Sequence, residues 1–247
     1  MSNIQKKISE LFEYRRLPWM LEQEFDQIDS RRKFLNVLKD LQYVIFLYDK
    51  QLESSWELDH DLLSIKWKDI ELSLSQLLGP EERLQDYLSE IQIYAENEMR
   101  MRQGFLLSDI AIETFYYYKS CDVRLMRRLI LERACSEDEA KERLADWRLY
   151  DLVAEVNDDV MDLEEDVDTF NGNRFLHGMR YGEVRSTHQE YLRFLGGCRT
   201  KVWEQINRRE GHFDIHQKTL EEIKVLEALI PRKIELMSTL ADQFDKS

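Results

Sequence analysis

The chain has 247 residues, 43% of them hydrophobic, which is enough for one large domain or two small ones with a real core. Its 8 glycines and 3 prolines are too few for a strand-rich fold, which needs turn residues roughly every eight to twelve positions. A formal net charge of −14 argues against DNA, RNA or an anionic membrane surface as a general partner, because such polyanions are held mainly by Lys and Arg.

In chain order, the first residues, Met1-Ser2-Asn3-Ile4-Gln5-Lys6-Lys7, lack the apolar core of a secretory signal, and no apolar run is long enough to span a bilayer. The expectation is a soluble, cytoplasmic protein with no integral membrane association. Ile4, Ile8, Leu11 and Phe12 predict a short helix over 2–14, interrupted at Pro18. Asp29-Ser30 can cap a longer helix running through Phe34, Leu35, Leu38, Leu41 and the run Val44-Ile45-Phe46-Leu47-Tyr48. That run is apolar all round and predicts a helix buried in the middle of a bundle. Asp49 and Glu53 share a face at its carboxyl-terminal end, where the helix dipole prefers cations, so their placement hints at function.

A helix over Asp59 to Leu78 follows (Leu62, Leu63, Ile65, Trp67, Ile70, Leu72, Leu74), stopped by Gly79-Pro80. Glu81 to about Gln103 reads as a charged helix with Leu84, Tyr87, Leu88, Ile91 and Ile93 on its buried side, Gly104 kinking or ending it. Leu106 to Tyr118 reads as a core helix delivering Lys119-Ser120-Cys121-Asp122, where Asp122 can cap a basic helix from Val123 to Ile130. Ser136-Glu137-Asp138-Glu139 is a capping box opening a pattern that runs to about Phe170. Asn171-Gly172-Asn173 ends it, and a glycine-rich loop is expected through Gly178, Tyr181 and Gly182. Helices resume over Thr187 to Asn207 and Asp214 to Asp245, with Pro231 kinking or dividing the last. With no repeat or linker, the pattern predicts one all-α domain over residues 1–247. Cys121, Cys135 and Cys198 sit at no metal-ligand spacing and are expected as reduced thiols.

The densest chemistry is Val156-Asn157-Asp158-Asp159-Val160-Met161-Asp162-Leu163-Glu164-Glu165-Asp166. At about 100° per residue, Asp158, Asp162 and Glu165 fall on one face with Asp159 and Asp166 flanking them. Magnesium takes a few carboxylates plus water and substrate phosphate, and this spacing supplies such a half-cage. Acidic runs are most often solvated faces, and Val156, Val160, Leu163 and Val167 on the opposite side fit that too. The line above the carboxylates, however, holds Leu144, Trp147 and Ala154, with Asp151 interrupting, as an apolar cavity wall leading to an acidic mouth would.

Asp158-Asp159-Val160-Met161-Asp162 has the form DDxxD, and Asp162-Leu163-Glu164-Glu165-Asp166 has the form DxxED found in squalene and phytoene synthases. Asn157-Asp158 with Glu165 partly resembles the second metal motif of class I terpene synthases, with Met161 at its usual Ser/Thr position. Lys119-Ser120-Cys121-Asp122-Val123 resembles the helix break of bacterial terpene synthases, Lys119 standing as diphosphate sensor and Asp122 as linker. In a competing alignment Tyr118 to Arg128 is similar to the basic segment before DDxxD in trans-prenyl diphosphate synthases, with Arg124 and Arg127 as diphosphate ligands. Tyr48-Asp49-Lys50-Gln51-Leu52-Glu53 stands where a first metal motif belongs, with Lys50 in place of a second Asp. Arg174 follows Asn171-Gly172-Asn173 much as the Gly-Arg element follows DxxED, and Arg180-Tyr181 lies too near the acids to match the family's carboxyl-terminal Arg-Tyr pair plainly.

The resemblance implies an isoprenoid synthase fold and a magnesium-dependent, terpene synthase-like lyase that ionises a prenyl diphosphate and cyclises or rearranges the cation. A coupling prenyltransferase is the alternative within the enzymes, and a non-catalytic acidic helical interaction protein the alternative outside them. It implies metal ligands among Asn157, Asp158, Asp159, Asp162, Glu165, Asp166, Asp49 and Glu53. Asp158, Asp162, Lys119 and Arg124 would be catalytic, and Lys119, Arg124, Arg127, Arg174 and Arg180 would bind diphosphate. Trp147, Tyr117 and Phe115 would line the cavity, where ring faces stabilise a carbocation, although aromatics at helical spacing, Tyr116 and Tyr118 included, are more often core. Nucleic acid is not an expected partner, and a homodimer is an assembly the sequence leaves open. His212 and His216, spaced i,i+4, lack the HExxH context of a zinc site.

Overall fold

The computed structural model describes residues 3–53, 57–78, 84–101, 107–167, 172–208 and 213–244, without the side chains of 97, 101, 108, 213 and 237–244. Among them are twelve α-helices and no strand, so the chain is all-α. They fall into two compact units, each discontinuous in sequence: residues 1–104 with 118–144, and residues 105–117 with 145–247. No helix among the described residues is long and apolar enough to cross a membrane. Gly79, Pro80, Gly104, Asn171 and His212 lie outside the described residues.

The first unit holds α1 (Asn3–Tyr14), α2 (Leu17–Glu24), α3 (Ile28–Glu53), α4 (His60–Leu78), α5 (Leu84–Met101) and α7 (Cys121–Ala134). Pro18 does not merely interrupt the first helix. It sits in the first turn of α2, where its missing N–H costs nothing, after Arg16 takes a left-handed φ of 58°. The α1–α2 corner is held from inside by Arg127 of α7, which is fully buried and donates to the Arg15 carbonyl at 2.8 Å. α4 starts within a residue of the predicted Asp59, whose carboxylate caps it by accepting from the Leu62 amide at 2.9 Å.

Three buried faces differ from their sequence patterns. In α3, only Ile45 of the run 44–48 is buried, and Tyr43 beside it is exposed, so α3 is an amphipathic helix rather than one enclosed all round. In α4, Leu63, Ile70 and Leu74 are buried while Ile65 and Leu72 are 55% and 60% exposed, because one helix face cannot gather them all. In α5, Ile93 faces out, and Ala95 and Glu98 continue the buried line of Tyr87, Leu88 and Ile91.

The second unit holds most of α6 (Ile112–Lys119), the greater part of α8 (Glu137–Met161), α9 (Leu163–Asp166), α10 (Arg174–Tyr181), α11 (Val184–Arg208) and α12 (Phe213–Phe244). A 3-10 turn at Leu107–Asp109 precedes α6, so the predicted core helix starts later than its pattern. α11 and α12 pack as a long hairpin, and α12 runs through Pro231 without division. The expected loop around Gly178 is instead helix α10. A Cβ at Gly178 would lie 2.8 Å from the Thr187 methyl, so glycine here serves the close packing of α10 on α11 rather than a turn.

Candidate functional site

α8 is fixed at its amino terminus by the predicted capping box, the Ser136 hydroxyl accepting from the Glu139 amide at 3.4 Å. Beyond Met161 the backbone keeps its i→i−4 bonds across the α8–α9 junction, from the Asp162 amide to Asp158 and from the Asp166 amide to Asp162, both 2.9 Å. Asp151, Glu155, Asp158, Asp159, Asp162 and Asp166 therefore lie within about 100° of one another around one helical path. This acidic stripe is not a solvated face. Asp151, Glu155, Asp159 and Asp166 are buried, Asp158 is half-buried, and Asp162 alone of the six is exposed, as are the neighbouring Glu164 and Glu165. Val156, Val160 and Leu163 are buried as well, so the helix is enclosed on both its apolar and its acidic side here.

Asp159 and Asp166 hold the start of α10. The Asp159 carboxylate accepts from the Tyr116 hydroxyl at 2.8 Å and from the amides of Arg174 at 2.9 Å and Phe175 at 3.4 Å. A carboxylate there meets the positive end of the helix. The Asn173 amide group donates to the Asp159 carbonyl at 2.7 Å and to Asp166 Oδ2 at 2.8 Å, while its oxygen caps α10 by accepting from the Leu176 amide at 2.8 Å. Tyr116 also meets the Tyr191 hydroxyl at 2.6 Å. Burial, and then the Asp159 charge, push both phenols above the ordinary tyrosine range, so both stay protonated donors.

Arg174 is buried, makes paired hydrogen bonds to Glu190 (3.1 and 2.8 Å) and donates to the Ile110 carbonyl. Burial alone would lower its pKa, but the Glu190 bonds more than offset that and hold it charged. Arg180 is exposed and donates to the Val167 carbonyl. Phe115 is buried edge-on against Tyr116, Trp147 is buried edge-on against Tyr150, and Tyr117 is half-buried beneath the Arg148 guanidinium. Asn157 and Asp158 are half-buried on α8, Asp162 and Glu165 exposed. His216 is buried on α12.

The first unit carries a second acidic group, assembled from helices far apart in sequence. Glu53 of α3, Glu98 of α5 and Asp122 of α7 all act electrostatically on Asp49 of α3, as does the cation Lys119. Burial first, then Glu53, Glu98 and Asp122, push the Asp49 carboxyl well above its usual range, and Lys119 opposes them. Tyr94 is raised by burial and by Glu98, Asp49 and Glu53, in that order. Gln42, seven residues before Asp49 and on the same face of α3, donates from its amide nitrogen to Asp122 Oδ2 at 2.7 Å. Its side-chain oxygen is buried with no hydrogen-bond partner among the described residues, an acceptor left open beside the carboxylates. Arg124 is half-buried and pairs with Glu90 at 2.8 Å, and Arg127 serves the Arg15 carbonyl.

The sequence-predicted residues are thus brought together in two groups. Asp49 is brought within electrostatic reach of Lys119 and Asp122, about seventy residues away in the chain, as well as of Glu53. Asp158 and Asp162 share the stripe with Asp159 and Asp166, but the latter two are engaged in positioning α10. Glu98, Tyr94, Gln42, Asp151 and Glu155 were not singled out by the sequence. Glu98 and Glu155 look like ordinary surface acids of amphipathic helices, and Asp151 only interrupts an apolar line. Among the described residues no three His, Cys, Asp or Glu side chains are gathered closely enough to hold a metal by themselves. The donors are all hard oxygens, the open Gln42 oxygen among them. They fit an ion that keeps its waters and completes its shell from a phosphate, as magnesium does, and do not fit a full protein cage. Compared with known proteins, the chain matches no family model, no curated protein and no solved structure.

Proposed function

We propose that the chain is a magnesium-dependent enzyme that ionises a prenyl diphosphate, similar in its chemistry to class I terpene synthases. The observation that carries this reading is the group of Asp49, Glu53, Glu98 and Asp122 with Lys119 beside it and the Gln42 oxygen open. Asp49 and Glu53, with Asp122 and Gln42, would hold magnesium, and the bound ion would draw charge from the departing diphosphate. Lys119 supplies a fixed cation for the same leaving group, whose developing charge is greatest in the transition state. Asp158, Asp162 and Glu165 are candidate ligands in the second unit, where Asp159 and Asp166 hold the start of α10. Arg124 and Arg174 pair with Glu90 and Glu190, and Lys119, which acts on Asp49, is the cation we assign to the diphosphate. A prenyltransferase reaction starts from the same ionisation and differs in what captures the cation.

Thermal unfolding with magnesium chloride and inorganic diphosphate tests the binding half of this proposal. Asp49 has a folded-state pKa above its unfolded value, so its ionisation penalises the fold as pH rises from about 4 towards that raised value. Without ligand, Asp49→Asn should therefore raise Tm at pH 7 by a few degrees, on the order of 2 °C per kcal/mol or more for a chain of this size. With magnesium and diphosphate together, the wild type should gain stability while Asp49→Asn and Lys119→Gln gain much less. An acidic interaction protein without a diphosphate site would show, for each of the three proteins, the same Tm with the ligands as without them.

A further inference from the structure

The first unit also carries a groove of about 740 Å³ whose charge runs against that of the chain. Its apolar floor is Phe34, Val37 and Leu41 of α3 with Leu77 of α4, and Phe25 closes one end, its ring 5.8 Å edge-on from Phe34. A smaller lobe of about 170 Å³ shares Phe34, Leu77 and Arg133 with it and continues over Leu129 and Tyr87. The volume suits a small molecule with a chain of roughly ten or more carbons.

Two cations stand in the groove, Lys33 of α3 and Arg133 at the end of α7. Neither makes an ion pair among the described residues, although the chain carries 49 acids against 35 bases. Asp40 is two turns from Lys33 along α3, on the order of 10 Å away, too far to neutralise it. Glu132, in the smaller lobe, is already engaged by Arg128 and by the Tyr87 hydroxyl. The Arg133 guanidinium lies over the Phe34 ring, 4.9 Å from its centroid. Stacking fixes the plane of the guanidinium and leaves its N–H edge for a two-oxygen acceptor.

We infer that this groove binds an amphipathic anion, its apolar chain on Phe34, Val37, Leu41 and Leu77 and its carboxylate or phosphate head on Arg133 and Lys33. A charge-assisted, paired hydrogen bond to a stacked arginine sets the orientation, and burial of the chain supplies most of the affinity. The site is separate from the Asp49 group and does not depend on the diphosphate chemistry proposed for it.

Isothermal titration of the full chain with dodecanoate, dodecyl phosphate and uncharged dodecyl maltoside, each below its micellar concentration, tests the inference. At least one anion should bind saturably at one per chain, and the preferred anion tells a carboxylate site from a phosphate site. The exposed double substitution Lys33→Gln with Arg133→Gln should weaken that binding about tenfold or more, and Val37→Trp, which fills the groove but keeps both cations, should weaken it too. Binding of dodecyl maltoside as tightly as the anions, binding that survives both changes, or no saturable binding of either anion would overturn the assignment. Unchanged thermal unfolding of the variants shows that the loss is not one of folding.

Discussion

Asp159 and Asp162 stand three residues apart on one acidic run, yet the first is enclosed and the second faces water. Replacing Asp159 by Ala strands the Arg174 amide inside the protein and leaves the Tyr116 hydroxyl with only its Tyr191 partner. The expected cost is about 3–5 kcal/mol in urea denaturation, the range for breaking a buried charged contact. Asp162→Ala should stay within about 0.5 kcal/mol of wild type, as exposed positions do. Asp159 thus separates structural from chemical acids, and a loss of activity in Asp162→Ala is interpretable as chemistry. A milder test concerns Glu113, bridged to Lys201 at 2.9 Å and Arg148 at 3.0 Å. The Lys201 hydrogen bond, working against partial burial and aided by Arg148, holds its carboxyl below the usual range. Its folded pKa is below its unfolded one, so the stabilisation is present above the unfolded value and is lost as pH falls through the folded value. Glu113 is substantially exposed, so screening limits the effect: Glu113→Gln should cost less than about 1 kcal/mol at pH 7, and its difference from wild type should shrink below about pH 4.

Helices were legible in the sequence where a cap and a periodic face coincided, as at Ser136, whose side chain accepts from the Glu139 amide. Glycine misled the pattern around Gly178, because a residue absent for packing reasons looks the same as one absent for a turn; the Thr187 contact is invisible until α10 and α11 are placed together. Gly196 and Gly197 are a different case. They sit inside α11, and a Cβ at either would meet nothing within 4 Å. Gly196→Ala and Gly197→Ala should each stabilise the chain by about 0.5–1 kcal/mol, read as a higher urea midpoint at unchanged slope. A loss of stability instead would mean that α11 needs the bend or close approach that glycine allows.

Across the molecule, the all-α class followed from scarce glycine and proline and from helical spacing, and both units carry it out. The sites were legible only in part, because periodicity reports which residues share a helix face but not which helices meet. Asp158 and Asp162 could be paired from their four-residue spacing. The grouping of Asp49 with Glu98 and Lys119 could not, since it joins three helices. Burial was equally hidden: Asp151 and Glu155 have the residue types of a surface and the exposure of a core. The diphosphate proposal therefore rests more on the Asp49 group than on the denser acidic run that first suggested it.

The most direct measurement is release of inorganic diphosphate from C10, C15 and C20 prenyl diphosphates by the purified chain with magnesium, beside Lys119→Gln and Asp49→Asn. The account predicts magnesium-dependent release from at least one chain length, with a terpene hydrocarbon or alcohol as co-product, falling about a hundredfold or more in either variant, a loss on the order of 3 kcal/mol of transition-state stabilisation. Folded wild-type protein that releases no diphosphate from any of the three substrates, or variants that turn over as fast as wild type, would contradict it.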